Sequence, residues 1–283
     1  MTFGQQTDAA RGLLSYLLVD EEVFLQQVSE GVPAIEREVL ANGTEVDREC
    51  FDYVRHQEAG SSPTTFGNSP YPRDCDRDGL RADRMASSGR GMRLADFVAH
   101  QSAVAAKLSD AHVLALRLYS TAAFRSINGP LRDTSRDRPP HPLPVTCHFL
   151  MQALSRLRAV GNEAGSTPRT IDLFRGVSGR ALLDEFHRKG GTELSPMSTT
   201  TDLSVAVQYS KPTAQGTSLI FKIKTTNFMD RGGDIQFLSA FPAEREFLYP
   251  PLTFLQPTGV ADEVTVSGLK FTVIEVEARL GGS

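Results

Sequence analysis

Three groups of polar residues in the C-terminal part of the sequence could together act on a phosphorylated sugar. Arg175 follows an apolar run and precedes a glycine, residues 198–200 form a Ser-Thr-Thr cluster, and Glu244 and Glu246 flank one arginine. The planar guanidinium of an arginine can hold a pyrophosphate, a hydroxyl can fix a neighbouring side chain, and a carboxylate can stabilise a cationic sugar. In this order, the three groups predict chemistry at the bond between a sugar and its leaving group.

Each group alone also has a simpler structural explanation. A Glu-Arg-Glu run is common on solvated surfaces, an arginine at a strand end can point to solvent, and hydroxyls on a strand can make cross-strand hydrogen bonds. The surroundings favour a site for the glutamates, because Phe241-Pro242 before them and residues 248–252 after them are apolar and stiff. On an extended backbone, residues two apart point to the same face, so we expect Glu244 and Glu246 to face one cleft.

The three groups fall in a strand-rich segment that follows a set of helices. Apolar periodicity predicts helices over residues 94–108, 110–119 and 151–160. Arg175 ends the first predicted strand, and Gly176 would let a ligand approach the backbone closely. The segment is therefore α+β, and the lack of a Gly-x-Gly-x-x-Gly turn argues against a Rossmann sheet. Shorter apolar runs predict helices at 181–188 and 202–209 and strands at 171–174, 194–200, 218–224, 235–238, 246–248, 253–255 and 269–278.

The N-terminal region, residues 1–59, has a helical texture. Pro33 suits the first turn of a helix, and Asn42-Gly43 suits a C-terminal cap. Thr44 with Asp47 three residues later is a capping pattern that predicts the start of the next helix. We expect this region to be scaffold or regulatory material.

A second segment, residues 60–91, is rich in Ser, Pro, Gly and Asp and has few large apolar residues. Because it can bury little, we expect a flexible linker or long loop, with residues 92–283 forming the domain that carries the polar groups. Residues 74–79 reproduce the opening of a calcium loop, but Met85 stands where such a loop needs a glutamate. A solvated charged loop is the better interpretation, and no metal is predicted.

Composition limits the class of protein and its partners. The chain has 283 residues, a formal charge of −4 and a pI near 5.9, so no basic footprint for nucleic acid or anionic lipid is present. Cys50, Cys75 and Cys147 lack paired spacing, which favours free thiols in a reducing compartment. The apolar run at residues 13–19 is too short to span a bilayer. We expect a cytoplasmic protein without a membrane partner, unless a targeting segment has been removed.

Several motifs in sequence order resemble the arginine-directed mono-ADP-ribosyltransferases of the R-S-E class. The glutamate pair, the hydroxyl cluster and Arg175 match the motifs that give this class its name. The resemblance runs from about residue 94 to residue 280, and the first ninety residues lie outside it. The segments that carry it are residues 115–120, 127–132, 173–176, 191–194, 197–200, 205–209 and 241–255.

The resemblance implies a fold and a set of cofactor contacts. The fold would be a split β-sandwich of two roughly perpendicular sheets with flanking helices, and NAD would bind between the sheets. Arg175 would contact the phosphate and ribose region, and the Gly176 backbone would meet the nicotinamide amide. Ser198 would hold Glu246, while Thr199 and Thr200 complete the motif, with threonine in place of the usual final serine. Tyr209 falls where the family often has an aromatic against the nicotinamide ring, although it could equally be a core residue.

The resemblance also implies a mechanism in which NAD is a co-substrate and no metal is needed. Glu246 would bind the ribose hydroxyls and stabilise the oxocarbenium-like centre as nicotinamide leaves. Glu244 would orient the acceptor guanidinium and help to remove its proton, and a glutamate here implies arginine as the acceptor. The partner would be a protein with an accessible arginine, a small guanidine, or the chain itself.

Two other activities remain open from the sequence. An NAD glycohydrolase would use the same Arg175, Ser198 and Glu246 with water as the acceptor. A catalytically silent NAD-binding module would keep the fold and lose turnover.

Overall fold

The computed structural model of the chain describes most of the sequence, in eight stretches. No helix within these stretches is long and apolar enough to cross a membrane. The stretches are residues 21–61, 71–135, 137–160, 170–177, 183–210, 218–226, 230–266 and 268–280.

The N-terminal region is helical where it is described, as the sequence predicts. It contains α1 (Glu21–Glu30), α2 (Val32–Asn42) and α3 (Glu45–His56). Pro33 lies in the first turn of α2, and the N–H of Gly43 closes that helix by donating to the carbonyl of Val39. Thr44 and Asp47 form the predicted capping box at the start of α3.

The segment expected to be a linker differs from that expectation where it is described. Residues 71–91 contain a short hairpin of β1 (Cys75–Asp76) and β2 (Gly79–Leu80), followed by a 3-10 turn at Ala82–Arg84. Arg73, Asp74 and Arg84 are at most 1% exposed, so the expectation that this segment buries little was wrong here. The sequence pattern misled because its buried groups are charged rather than apolar. The domain division at residues 59 and 92 stays a prediction.

Five helices connect the hairpin to the sheet. They are α4 (Leu94–Val98), α5 (Gln101–Ala105), α6 (Asp110–Tyr119), α7 (Phe124–Arg132) and α8 (Pro144–Val160). The single helix predicted over 94–108 is wrong, since two short helices meet at His100, whose ring accepts from the Ser102 N–H at 3.2 Å. Helix α6 begins after Ser109 as predicted.

The C-terminal half contains, in its described residues, a mixed sheet with two short helices. The elements are β3 (Ile171–Val177), α9 (Leu183–Lys189), β4 (Gly191–Glu193), β5 (Met197–Thr200), α10 (Leu203–Tyr209), β6 (Ser218–Thr225), β7 (Gly233–Asp234), β8 (Glu246–Tyr249), β9 (Thr253–Val266) and β10 (Leu269–Arg279). The hydrogen-bonded order is β4-β9-β10-β6-β3-β5-β8-β7, and only β10 with β6 is parallel among the pairs described. Strands β3 and β5 meet in one register pair, Phe174 with Thr200, which divides the sheet into two parts.

One of the predicted strands is wrong, and another is shorter than predicted. Of the run at 194–200, only Met197–Thr200 is a strand, because residues 194–196 separate it from β4 and Pro196 has no N–H to donate to a ladder. The run at 235–238 is a turn, in which the N–H of Leu238 donates to the carbonyl of Ile235 at 3.0 Å. Ile235 and Leu238 of that turn are fully buried, so burial without strand pairing explains the misleading pattern.

The helices and the sheet build two main hydrophobic cores. Ile35 of α2, Leu114 of α6 and Leu154 of α8 belong to one helical core and are fully buried. Leu173 and Phe221 belong to a second core against the sheet. The α+β split-sandwich architecture with a helical N-terminal region is confirmed, and α2 and α3 pack into the core that supports one end of the sheet.

Candidate active site

A cleft of about 330 Å³ lies where the two parts of the sheet meet α6, α7 and α10. Its walls bring together residues that are far apart in sequence. All of the predicted site residues line it: Arg175, Gly176, Ser198, Thr199, Thr200, Tyr209, Glu244 and Glu246.

Arg175 joins the two parts of the sheet at the floor of the cleft. From β3, its Nη1 donates to the carbonyl of Ser198 on β5 at 2.8 Å, and its Nη2 lies 3.4 Å from Glu193 Oε2. Burial lowers the pKa of Arg175, and the charge of Glu193 opposes that shift. A guanidinium remains charged even so, which leaves a fixed cation in the cleft.

Glu193 and Arg132 complete this charged group, and sequence reasoning did not pair them. Arg132 at the end of α7 donates Nε and Nη2 to the two oxygens of Glu193, at 2.9 and 3.2 Å. Burial alone would raise the pKa of Glu193, but Arg175 and Arg132 together outweigh burial and lower it. Both residues lie within motifs that carry the family resemblance, but their contact spans 61 positions, which no local pattern indicates.

The structure explains the glycine at position 176 by a close contact other than the expected contact with a ligand. A Cβ at this position would lie 2.3 Å from the carbonyl oxygen of Ala206 and 2.8 Å from the backbone nitrogen of Ser210. The close approach that requires glycine is therefore that of helix α10. The residue still lines the cleft, so both the helix and a ligand would meet its backbone.

The hydroxyl cluster on β5 divides into two roles. Thr199 donates its hydroxyl to the carbonyl of Phe247 at 2.8 Å, and Thr200 donates to the carbonyl of Glu244 at 2.6 Å. The Thr199 bond is a cross-strand bond, as in the simpler explanation, and the Thr200 bond reaches the turn that ends at Glu244; together they hold the chain that carries both glutamates. Ser198 instead directs its hydroxyl to the Glu246 carboxylate.

Glu246 is the more deeply buried of the two predicted glutamates, with 5% of its surface exposed. The hydroxyls of Ser198 and Ser239 lie beside its carboxylate and favour its ionised form. Burial, followed by the negative charge of Glu244, raises its pKa to about 7, against the opposing effects of both hydroxyls and Arg175. Ser239 was missed by sequence reasoning, because it lies in the segment wrongly assigned to a strand.

Glu244 lines the same cleft, but its backbone conformation differs from the extended one that we expected. It ends a 3-10 turn at Pro242–Glu244, and Arg245 after it has a left-handed φ of 48°. The extended-strand argument for the pair was therefore wrong, although both side chains do line one cleft. Tyr209 on α10 donates its hydroxyl to Glu244 Oε1 at 2.7 Å. Burial raises the pKa of Glu244, and this hydrogen bond lowers it in part.

Tyr119 and Asn128 form a second polar wall. The Tyr119 hydroxyl donates to the carbonyl of Pro196 at 3.0 Å, and Asn128 Nδ2 donates to that hydroxyl at 3.0 Å. The Asn128 amide oxygen is buried without a hydrogen-bond partner in the described part of the chain. A buried acceptor of this kind favours a ligand that brings a donor.

The described residues also bear on metal binding. No group of three or more His, Cys, Asp or Glu residues within the described ranges could hold an ion. The calcium-like pattern is broken because Asp74 is turned inward, where it pairs with Arg84 and Arg117.

Comparison with known proteins identifies the surrounding fold. The model of the family described as NAD:arginine ADP-ribosyltransferase matches residues 84–272. No curated protein matches the sequence.

Solved ADP-ribosyltransferases resemble the chain at low identity. HopU1 of Pseudomonas syringae pv. Tomato DC3000 is 18% identical, with 69% of this chain and 93% of that chain covered and a TM-score of 0.47. The Vis toxin from Vibrio Splendidus in complex with agmatine is 18% identical, with 66% and 83% covered and a TM-score of 0.46. Exoenzyme S from Pseudomonas aeruginosa, bound to carba-NAD and human 14-3-3 protein beta, is 20% identical, with 64% and 86% covered and a TM-score of 0.41.

Proposed function

Because the chain belongs to the NAD:arginine ADP-ribosyltransferase family, we propose that it transfers ADP-ribose from NAD to an arginine side chain and releases nicotinamide. The observation that carries the choice of acceptor is the pair of carboxylates in one cleft, Glu246 buried and Glu244 half-buried. Glu246 lies beside two serine hydroxyls, and Glu244 separately accepts a hydrogen bond from Tyr209. Two carboxylates with different partners suit two roles, one toward the sugar and one toward the acceptor.

The residues of the cleft suit a dinucleotide with an anionic pyrophosphate. The side chain of Arg175 is 19% exposed and held by Ser198 and Glu193, while that of Arg132 is 38% exposed and can reach a ligand from the rim. Guanidinium groups bind phosphate oxygens through paired hydrogen bonds. The open amide oxygen of Asn128 can accept from a hydroxyl or amide of the bound nucleotide.

Glu246 performs the central step in this proposal. Its carboxylate accepts hydrogen bonds from the ribose hydroxyls and faces the positive charge that develops on the sugar as nicotinamide leaves. A fixed group of this kind lowers a barrier by a few kcal/mol, or roughly 100-fold or more in rate. The two serine hydroxyls beside the carboxylate favour its ionised form, which is the form that this step requires.

Glu244 acts on the acceptor. Tyr209 occupies Oε1, which leaves Oε2 to bind an incoming guanidinium and to take its proton. The raised pKa of Glu244 makes its carboxylate a stronger base than an exposed glutamate. Water in the same place would give NAD hydrolysis, which is the second candidate activity.

The wider proposal covers the partner and the compartment. The acceptor is a protein with an accessible arginine or a small guanidine, and the chain's own arginines are included. All three cysteines are buried free thiols, which supports a cytoplasmic location. Residues 92–283 are proposed as the catalytic domain.

Analysis of the products by mass spectrometry tests the proposal. The purified chain is incubated with NAD and agmatine, and ADP-ribosyl-agmatine is measured against free ADP-ribose. Accumulation of the adduct supports arginine transfer. Free ADP-ribose alone would establish the hydrolase, and unchanged NAD would establish a silent module.

A further inference from the structure

The segment immediately before the two glutamates is a buried turn, residues 235–240, which we call the anchored turn. Leu238, Ser239 and Ala240 in it are fully buried. The N–H of Ile235 at its start donates to the carbonyl of Glu246 at 3.1 Å. Because buried carbonyls need donors, the remaining carbonyls of the turn must find partners elsewhere.

Two buried arginines supply most of those donors. Arg84 Nη2 donates to the carbonyl of Gln236 at 2.5 Å and lies 3.3 Å from the carbonyl of Ser239. Arg117 Nη1 donates to the carbonyl of Leu238 at 2.8 Å. Both guanidinium groups are at most 2% exposed, so water does not compete for these bonds.

Asp74 forms ion pairs with both arginines, and its backbone N–H is a further donor to the anchored turn. Its carboxylate lies 3.1 Å from Arg84 Nε and 3.0 Å from Arg117 Nη2, and it accepts the hydroxyl of Tyr53 on α3. Its backbone N–H donates to the carbonyl of Ala240 at 2.6 Å. One aspartate therefore connects the N-terminal helices and the hairpin to the anchored turn.

This cluster lies partly outside the region that the family model covers. Asp74 and Tyr53 precede residue 84, where the match begins, and Arg84 is its first residue. A buried ion pair of this kind is weak evidence for stability, because burial of the charges costs about as much as their attraction returns. Its location against the anchored turn suggests a more specific role.

The anchored turn reaches the reacting groups through Ser239. The Ser239 hydroxyl oxygen accepts from the N–H of Phe241 at 3.2 Å, and the hydroxyl lies beside the Glu246 carboxylate, whose ionised form it favours. The N–H of Ile235, which donates to the Glu246 carbonyl, joins the turn to the backbone of the same residue. The Ser239 carbonyl is held by Arg84, so a shift of that guanidinium would move the hydroxyl relative to Glu246.

We propose that Asp74, Arg84 and Arg117 are positioning residues for Glu246, acting through the anchored turn and the hydroxyl of Ser239. The hairpin segment is then part of the catalytic unit rather than a linker. The inference rests on the proposed function, because it assigns these residues to the same reaction.

Two substitutions in the full-length chain test the proposal. Ser239→Ala removes the hydroxyl that lies beside the Glu246 carboxylate. Arg84→Lys keeps the positive charge beside Asp74, but the shorter side chain cannot donate to the carbonyls of the anchored turn in the same way. Arg81→Lys is the matched control, since Arg81 lies in the same segment and pairs with Asp83 near the surface. Nicotinamide release is measured as kcat and KM for NAD over a range of pH.

We expect kcat to fall by about tenfold in Ser239→Ala and Arg84→Lys, with less than about a twofold change in KM. The acidic limb of the pH profile should move to higher pH in Ser239→Ala, because a hydrogen bond that favours the ionised carboxylate is lost. Arg81→Lys should match the native protein. A folded Ser239→Ala with native kcat and a native pH profile would overturn the proposal, whatever Arg84→Lys does.

Hydrogen exchange supplies a readout that needs no catalysis. Amides of residues 235–247 should exchange faster in Arg84→Lys than in Arg81→Lys, while amides of α8 should not differ. Equal exchange in the two variants would refute the anchoring. A native chain that releases no nicotinamide would remove the proposed function but leave this comparison to decide the anchoring.

Discussion

Because Glu246 is buried, its pKa lies within the pH range in which most enzyme assays are run. Burial first, then the charge of Glu244, raises its pKa to about 7. The carboxylate is protonated below that pH and cannot stabilise a cation. We therefore predict that kcat/KM for nicotinamide release falls about tenfold per unit below pH 7 and levels off above it. A pH–rate profile of the native chain measures this directly.

The Glu244→Gln variant is the control for that profile. It removes the like charge, so the acidic limb should move to lower pH, provided that release without acceptor remains measurable. A native profile that is flat from pH 5.5 to 8 would contradict the assignment of the limb to Glu246.

The hydroxyl of Tyr209 belongs to the acceptor side of the site in this account. The Tyr209→Phe variant keeps the ring but loses the 2.7 Å hydrogen bond to Glu244. We predict that transfer to agmatine falls about tenfold, because hydrogen bonds to charged groups contribute about 1.5–3 kcal/mol. Nicotinamide release without agmatine should change by less than about twofold. If both rates fell equally, the ring or hydroxyl would act on NAD instead.

The sequence could identify the cleft residues because their types and order were distinctive. Arg175, Ser198 and Glu246 were predicted and lie together. The pairing of Glu193 with Arg132 and the hydroxyl of Ser239 were missed. Each of these contacts depends on how distant segments pack, and sequence periodicity contains no information about that.

Among the elements, helix α10 is positioned by a glycine on the neighbouring strand. Ala at position 176 would place a Cβ 2.3 Å from the backbone oxygen of Ala206, which cannot move without shifting the helix. We predict that Gly176→Ala lowers Tm and strongly reduces transfer to agmatine, since α10 carries Tyr209. Thermal unfolding and the agmatine assay measure the two effects.

Gly129→Ala is the matched control for this substitution. Gly129 lies within α7, and a Cβ there would meet nothing within 4 Å. Because Pro130 follows and disfavours a helical backbone in a preceding residue with a Cβ, the usual gain of alanine over glycine in a helix is offset, and the variant should keep a Tm close to the native value. A native Tm and native transfer in Gly176→Ala would show that α10 is not fixed in this way.

The elements were predicted best where local signals were strong. The cap formed by Thr44 and Asp47 and the strand at Ser218–Thr225 follow from short-range patterns, and both were confirmed. The apolar run at 235–238 failed because its two buried residues face a core from a turn. A pattern of apolar residues indicates which side chains are buried. It does not establish whether the backbone N–H and C=O groups of the segment pair with a neighbouring strand.

At the scale of the whole molecule, Glu38 links the N-terminal helices to α8. Its carboxylate accepts from the N–H groups of Val145 and Thr146 at 2.5 and 2.9 Å. Burial raises the pKa of Glu38 to about 7, against the effect of these hydrogen bonds. The folded chain therefore holds a proton that the unfolded chain releases, and stability should fall as pH rises from about 4.5 to 7.

The Glu38→Gln variant should reduce this slope. Relative to the native protein, its free energy of unfolding should rise by up to about 3 kcal/mol between pH 5 and pH 8. Denaturant unfolding at the two pH values measures the difference. Glu36→Gln on the same helix is the control and should show no such change. A slope in Glu38→Gln identical to that of the native chain would contradict a buried, titrating Glu38.

The central claim is that Glu246 and Glu244 divide one reaction between sugar and acceptor. The measurement that tests it most directly is the rate of NAD consumption and of ADP-ribosyl-agmatine formation in Glu246→Gln and Glu244→Gln, with folding checked by circular dichroism. The account predicts that Glu246→Gln loses both rates, whereas Glu244→Gln loses adduct formation and keeps part of NAD hydrolysis. Equal loss of both rates in a folded Glu244→Gln would contradict the division.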